Sequence, residues 1–433
     1  MLSLAKCCNY IAYLRGNRTG PLRERRYDGD RRDWHVSASL EQRRPPGQGP
    51  DEDAVTMAVA AGRAADPTGS AKHVVMVSRD FPLLEGDNGA VLLAGLSLPA
   101  DVPVTEVLGA APTVLDQIIM GVDGKLVVAA DDSDTAVGAA AVLIGGSGAK
   151  LTAVTRQTRS LPMQVRTCNG CRHTYTDPRL QREVGVKSTL ARLGVTGTPA
   201  VAAVAGVTAA QLGHRFDVSA AVEEPATSAA AVIRLIAEAI DNHTPGIVLA
   251  VEQSSVTAAE LSLGVRSPRI TRDEASAREL PVFRIAQGTG IPISLPAYAR
   301  AFESKLRWQA ALFDQRPGID GSPMFPPRAR VDSAGGLATE YRLEALPRTG
   351  TVYTQTTIQF PVPDLPSPYS LAVVQLDDSP VRVLLKVTGV PAGEVSIGES
   401  GSVVLRRIAT RAGVPDYGYA FWPGKQLPQG ASA

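Results

Sequence analysis

The chain has 433 residues, of which 44% are hydrophobic and 20% are charged, so it is long enough for at least two folded domains. Its formal net charge of +1 supplies no long-range field that would gather nucleic acid or anionic lipid. No run reaches the roughly 18 apolar residues that a membrane helix needs. The four cysteines are too few to cross-link a chain of this length, which predicts a reduced, cytoplasmic compartment.

The first 50 residues differ in character from the rest. Residues 1–15 are apolar but lack a basic region and a cleavage site, so they predict an ordinary first strand rather than a signal peptide. Residues 15–50 combine many arginines with a proline- and glycine-rich run. This composition favours disorder or a long surface loop, with an RNA-binding arm as the alternative. We therefore assign residues 1–50 as an irregular arginine-rich segment.

Between residues 51 and 265 the sequence alternates strand and helix patterns. This alternation predicts a layered α/β domain with long buried strands. Helices are predicted at 51–65, 89–98, 112–122 and 228–242, and strands at 71–79, 125–132, 135–146, 198–206, 246–254 and 258–264.

A connector follows at residues 266–340. Its predicted helix spans 295–313, where Tyr298, Phe302 and Leu306 recur at i, i+4 and i+8, with Trp308 close by. Such an apolar stripe must be covered either by the chain's own domains or by a partner. We predict that it serves as a docking helix.

The last part of the chain, 341–425, changes to short strands separated by proline, glycine and aspartate turns. These strands predict a small closed or partly closed β-barrel. They are expected at 350–360, 369–377, 381–390, 401–410 and 417–423.

Two sets of short phrases carry resemblances to known families. In the C-terminal part they are FPPR (325–328), GTVYTQTTI (350–358), PSPYSLAVVQLDD (366–378), VSIGESGSVVLRRI (395–408) and YGYAFWP (417–423). This part resembles the acyl-CoA-associated OB-fold family, whose members usually carry a zinc ribbon before the barrel. In the N-terminal part the phrases are YIAYLR (10–15), PDEDAVTMAVAAGRAA (50–65), GKLVVAADD (124–132) and GAAAVLIG (138–145). This part resembles the hydroxymethylglutaryl-CoA synthase group of the thiolase fold. The fold class implied is an α/β thiolase-like layered domain plus a five-stranded OB-fold barrel.

The thiolase-like part lacks the residues that its resemblance would lead us to expect. Acyl transfer in that group needs a cysteine that becomes acylated. The matching segment is EVLGAAPTVLD (106–116), where Ala110 or Ala111 stands at the nucleophile's place. The activating histidine would fall within 198–206 and an asparagine-containing turn within 223–231, and neither residue is present. We therefore predict a degenerate domain with no catalytic residue.

Metal ligands are also missing from the connector. The resemblance implies two cysteine pairs around residues 318–338, but that stretch holds no cysteine, so we predict no ribbon zinc. The remaining candidate is the C-x-x-C of Cys168 and Cys171 with His173 beside it. Structural thiols, a metal site and catalysis are the three alternatives for this motif.

The resemblances imply a non-catalytic acyl-CoA-binding or scaffold subunit that associates with an active thiolase or acetyl-CoA acetyltransferase-type protein. A homodimer through the thiolase-like domain is a further expected contact. An active acyltransferase or synthase, and an inactive degenerate product, are the alternatives. We expect no tightly bound cofactor. The expected ligand is a coenzyme A thioester, whose phosphates need cations. The candidate cations are Arg382, Lys386, Arg406 and Arg407, which could otherwise be solvated positions that keep the barrel soluble.

Overall fold

The computed structural model describes residues 49–426 except 85–87, 134–135, 146–147, 162–163, 167–171, 265–267, 274–285, 287–302, 362–364 and 412–413. The arginine-rich segment up to residue 48, Cys168, Cys171, Tyr298 and Phe302 therefore lie outside the described residues. Within the described ranges, no helix combines the length and apolar character that crossing a bilayer requires.

The first half of the α/β domain is built around a four-stranded sheet. Its strand order is β2-β1-β3-β4, with β1, β2 and β3 parallel and β4 antiparallel to β3. The elements in chain order are α1 (Ala54–Ala65), β1 (His73–Ser78), α2 (Asn88–Leu96), β2 (Val104–Leu108), α3 (Ala111–Ile119), β3 (Lys125–Ser133) and β4 (Ala136–Leu143).

The second half repeats this plan around a five-stranded sheet of order β5-β11-β10-β8-β9. Here β8, β9 and β10 are parallel, and β11 is antiparallel to its neighbours. The elements are β5 (Lys150–Gln157), β6 (Gln164–Arg166), β7 (Arg172–Thr174), α4 (Pro178–Val184), α5 (Val186–Leu190), β8 (Val201–Ala205), a 3₁₀ helix (Ala209–Arg215), β9 (Val222–Glu224), α6 (Ala231–Asp241), β10 (Gly246–Glu252) and β11 (Ser255–Ser262).

Side-chain alternation along the strands stacks these elements into layers. In β1, Val74 and Met76 face a core shared with α1 and α2, whereas Val75 and Val77 face a second core. That second core holds α3 and α6 between the two sheets. The far face of the second sheet packs on Leu190 of α5 and on the 3₁₀ helix. The predicted layered α/β domain is therefore confirmed.

The C-terminal strands close into a five-stranded barrel of order β16-β17-β18-β20-β19. Alternating residues of β17 are buried, as the period of two requires. The strands are β16 (Thr349–Ile358), β17 (Tyr369–Leu376), β18 (Arg382–Val387), β19 (Ser400–Arg411) and β20 (Val414–Pro423). The predicted barrel is confirmed.

The connector before the barrel differs from its prediction. The described part of the predicted helix is helical only at residues 303–306, and its last residues form strand β12 (Gln309–Leu312). Trp308 has a φ of 60°, a left-handed conformation that ends the helix. The indole of Trp308 is buried and donates to the Pro347 carbonyl at 2.8 Å, while the Leu306 carbonyl accepts from the Tyr419 hydroxyl at 2.7 Å. The chain's own domains therefore cover these two anchors.

A small ribbon occupies residues 309–345. Its strands β12, β13 (Arg330–Val331), β14 (Leu337–Ala338) and β15 (Arg342–Ala345) pair as β12 with β15 and β13 with β14. Two tight turns face each other, and the Ser333 amide donates to the Pro317 carbonyl at 2.9 Å. A small apolar core of Ala311, Phe313, Ile319 and Ala338 lies at its centre. Apolar packing and turn hydrogen bonds thus stabilise the ribbon at the position where the resemblance implied a zinc site.

Candidate functional site

The segment that would carry a nucleophile lies between β2 and α3. Ala110 is the residue that precedes the first turn of α3, with extended backbone angles and no side-chain capping bond. Ala111 begins the helix, and both alanines are buried. A cysteine at such a helix start has a lowered thiol pKa and is nucleophilic, but an alanine offers no reactive atom.

A carboxylate instead occupies the start of α3. The carboxylate of Glu252, the last residue of β10, lies beside the backbone N–H of Ala110, which lowers the pKa of that carboxylate. Arg79, just beyond β1, places its Nε 3.8 Å from Glu252 Oε1 and donates from Nη1 to the Thr227 carbonyl at 3.0 Å. Burial raises the pKa of Glu252, and the Arg79 charge opposes that rise. The positive end of the α3 dipole is therefore already matched by an anion.

A second carboxylate, Asp131 near the end of β3, accepts hydrogen bonds at the start of α6. Its Oδ2 accepts from the Ser228 hydroxyl at 3.0 Å and from the Ala229 amide at 2.6 Å. Its Oδ1 is buried and has no hydrogen-bond partner within the described part of the chain. Burial raises the pKa of Asp131 above its usual value, while these bonds and the Arg79 charge lower it.

The two carboxylates are related by the duplication of the fold. Asp131, near the end of a strand in the first half, accepts hydrogen bonds at the start of a helix in the second half, and Glu252, at the end of a strand in the second half, lies beside the start of a helix in the first. The Asp131 charge also raises the pKa of Glu252, so the two groups interact. The arrangement can hold protons and anchor helix starts, but it supplies no acyl acceptor at residues 110–111.

The four cations predicted to bind coenzyme A are not grouped at one open surface. Arg406 is 3% exposed, and its Nη2 lies 2.9 Å from Glu52 Oε1. The Arg407 amide donates to the Asp51 carbonyl at 2.9 Å, and its Nη1 lies 3.9 Å from Asp53 Oδ2. Both arginines thus lie in the joint between the barrel and the start of α1.

Lys386 and Arg382 lie elsewhere on the barrel. Lys386 is half-buried, and burial lowers its pKa while the charge of Asp51 opposes that shift. Arg382 is exposed, stacks 3.7 Å from the centre of the Tyr353 ring, and donates from Nε to Gln375 Oε1 at 2.8 Å. Of the four, Arg382 is the residue most open to a ligand, and coenzyme A binding by the set stays a prediction.

The C-x-x-C motif lies outside the described residues, although His173 is described and exposed in β7. In the ranges that the structure covers, no group of three or more histidine, cysteine, aspartate or glutamate residues could hold a metal ion. Sequence reasoning missed Arg79, Asp131, Ser228 and Glu252. The available signal was an acidic residue at the end of each of two apolar strands in a repeated pattern.

Comparison with known proteins agrees with the C-terminal assignment. Residues 343–405 match the family described as the C-terminal OB-fold domain of ChsH2. The C-terminal barrel is an OB-fold. The predicted resemblance of this part is therefore confirmed, and the N-terminal domain has the predicted layered arrangement. None of the curated proteins matches the chain in sequence.

Several solved structures share fold features with the chain at low identity. One is titled "Ltp2-ChsH2(DUF35) aldolase", with 19% identity, a TM-score of 0.24 and coverage of 30% of this chain and 94% of the other. Another is 3-oxoacyl-(acyl carrier protein) synthase III from Pseudomonas aeruginosa PAO1, with 14% identity, a TM-score of 0.36 and coverage of 51% and 85%. A third is PksG, an HMG-CoA synthase from Bacillus subtilis, with 14% identity, a TM-score of 0.37 and coverage of 51% and 70%.

Proposed function

We propose that this chain is a non-catalytic, acyl-CoA-handling subunit that associates with an active thiolase-type enzyme. The observation that carries the proposal is the set of residues at the start of α3. Alanines stand at 110 and 111, and the carboxylate of Glu252 lies beside the Ala110 N–H. A nucleophile and an anion-accepting helix end are both needed for acyl-enzyme formation, and neither is available there.

Covalent labelling tests the non-catalytic part of the proposal. The purified chain, incubated with radiolabelled acetyl-CoA and then denatured, is expected to retain no label. An Ala110→Cys variant provides the comparison, because it restores a thiol at the same position. Stoichiometric label on the unmodified chain that disappears in Cys168→Ser or Cys171→Ser would support the alternative of an active acyltransferase.

Association with a thiolase-type enzyme is the second part of the proposal. The barrel's match to the ChsH2 OB-fold family supports it, as does the absence of a usable acylation site. The docking element proposed is the segment around Phe302, because Leu306 and Trp308 at its end are covered by the chain itself. Phe302→Asp is expected to abolish co-purification with a thiolase-type partner. Unchanged co-purification would show that the docking surface for the partner lies elsewhere on the chain. A homodimer contact through the thiolase-like domain would not depend on Phe302.

Coenzyme A thioester is the ligand proposed, because the matched family and the barrel's cations fit an anionic acyl carrier. Among the barrel cations, Arg382 is the first to test, since its guanidinium is exposed and held by Tyr353 and Gln375. Arg382→Gln is expected to weaken acyl-CoA binding measured by calorimetry. Arg330→Gln in the ribbon is the matched control.

A further inference from the structure

Two arginines meet where the α/β domain touches the barrel. Arg63 extends from the last turn of α1, and Arg348 stands immediately before β16. Arg63 Nη1 and Arg348 Nη2 each donate to the Ser97 hydroxyl at 3.1 Å. Arg348 Nη2 also donates to the Ala94 carbonyl at 3.2 Å and to the Tyr419 hydroxyl at 3.0 Å.

No carboxylate of the described residues balances this pair. Neither Arg63 nor Arg348 forms an ion pair with any residue in the described ranges. Burial, with the nearby Arg348 charge, lowers the pKa of Arg63 to about 10. A third arginine, Arg307, donates to the Leu98 carbonyl at 2.8 Å, and it has its own partner in Glu303. The place is therefore positively charged overall.

The two guanidinium groups keep donors available for a ligand. Each guanidinium carries five N–H donors, yet within the described chain Arg63 bonds through Nη1 alone and Arg348 through Nη2 alone. Their remaining nitrogens are not among the fully buried unpartnered atoms, and Ser97 is exposed, so solvent reaches the site.

The chemistry that fits is a phosphate group. Planar guanidinium forks bind phosphate oxygens in a bidentate manner, and two of them match the charge of about −1.5 to −2 on a phosphomonoester at pH 7. We propose that Arg63, Arg348 and Ser97 form a binding site for the phosphomonoester of an organic ligand. Coenzyme A carries such a group as its 3′-phosphate, and that choice of ligand rests on the proposed function.

The competing explanation is structural. Both arginines donate to the last carbonyls of α2, an ordinary way to cap a helix C-terminus. A capping role predicts a loss of stability on substitution but no effect on ligand binding. Binding measurements on folded variants therefore separate the two roles.

The test is calorimetric titration of the full chain with inorganic phosphate, 3′,5′-ADP, coenzyme A and 3′-dephospho-coenzyme A. We expect 3′,5′-ADP and coenzyme A to bind at least tenfold more tightly than 3′-dephospho-coenzyme A. We expect Arg63→Gln and Arg348→Gln to remove that preference. Arg342→Gln, an exposed arginine of the ribbon strand β15, is the control and should keep it. Arg348→Lys retains the charge without the fork and is expected to be intermediate.

Each result of these titrations either supports or overturns the proposed phosphate site. Equal affinity for coenzyme A with and without its 3′-phosphate, unchanged binding in both glutamine variants, or no binding of any ligand overturns the site. Binding of inorganic phosphate and 3′,5′-ADP that is lost in the variants, without binding of coenzyme A, keeps the site and rejects the coenzyme as ligand. If the glutamine variants do not fold, the lysine variant and the ligand series still test the phosphate site. The labelling experiment remains the separate test of the proposed function.

Discussion

At the scale of single residues, each half of the α/β domain places a carboxylate at a helix start of the other half. Glu252 lies beside the start of α3, and Asp131 accepts hydrogen bonds at the start of α6. An anion at a helix start is stabilising, so these groups take the position where a reactive anion would otherwise be stabilised. Under the proposed function, these contacts form a structural joint between the halves.

Asp131→Asn tests the electrostatic cost of that joint. Burial raises the pKa of Asp131, so the folded protein holds this proton more tightly than the unfolded chain does. Its contribution to the free energy of unfolding therefore falls as pH rises from the unfolded pKa of about 3.9 through the raised folded value. The stability difference between wild type and Asp131→Asn, measured by urea unfolding across pH, is expected to shift in favour of wild type as pH falls.

Asp217→Asn is the matched control for this measurement. Hydrogen bonds from Ser219 lower the pKa of Asp217, so its stabilising contribution is lost as pH falls. Its difference profile should have the opposite slope. Parallel profiles for the two variants would show that Asp131 is not held in the buried, partly unpartnered state described.

At the scale of elements, most of the regular structure could be predicted from periodicity. The acidic start of α1, the apolar strands β1, β3, β8 and β10, and all five barrel strands follow from pattern and turn chemistry. Strand β5 was not predicted, because its apolar residues lose the period of two at Ala153 and Val154 and its pairing with β11 is a tertiary property. The end of the connector helix was misplaced, since Trp308 adopts its left-handed conformation only when its ring is buried.

The candidate site was harder to predict than the fold. A missing cysteine can be seen in a sequence. The residues that surround its expected position in the fold cannot. Glu252 and Ala110 are far apart in the chain and meet only because α3 packs between the sheets. Likewise Arg63 and Arg348 come from separate domains and converge on Ser97.

The ribbon makes an element-scale prediction. Ile319 is 1% exposed and belongs to the small core that lies where a metal site was implied. Ile319→Ala should therefore destabilise the ribbon by about 2–4 kcal/mol, seen as faster hydrogen exchange at residues 309–345 with little change in the α/β sheets. Leu337→Ala, which truncates a side chain that is 66% exposed, is the control. Equal exchange in both variants would mean that the apolar core does not hold the ribbon.

At the scale of the whole molecule, the barrel and the α/β domain share one core. Leu405 and Phe421 of the barrel belong to the same apolar cluster as Val59 of α1 and Leu92 of α2. The Tyr417 hydroxyl donates to Asp53 Oδ2 at 2.8 Å, and Arg406 pairs with Glu52 beside it. Apolar packing and a charged joint therefore bind the two domains together, which predicts that they unfold as one unit.

Gly95→Ala tests that coupling at a position where α2 packs against both α1 and the barrel. Gly95 lies in the last turn of α2, so this change alone would stabilise by less than the about 1 kcal/mol of a helix interior. The added Cβ, however, would lie 2.5 Å from Val59 Cγ2 and 3.1 Å from Leu405 Cδ2. Overpacking of this kind costs about 1–3 kcal/mol, so it outweighs the gain in helix propensity. We expect a net loss of stability in urea, with both domains shifted together.

Gly89→Ala in the first turn of the same helix is the comparison, because its nearest new contact is Val104 Cγ1 at 3.2 Å. It should change stability less than Gly95→Ala does. The two transitions can be followed separately by hydrogen exchange in β3 and in β17. If Gly95→Ala shifted one domain and left the other unchanged, the domains would fold independently. If it left both unchanged, the packing would not be tight there, because α1, α2 and the barrel would separate far enough to admit a methyl group at little cost.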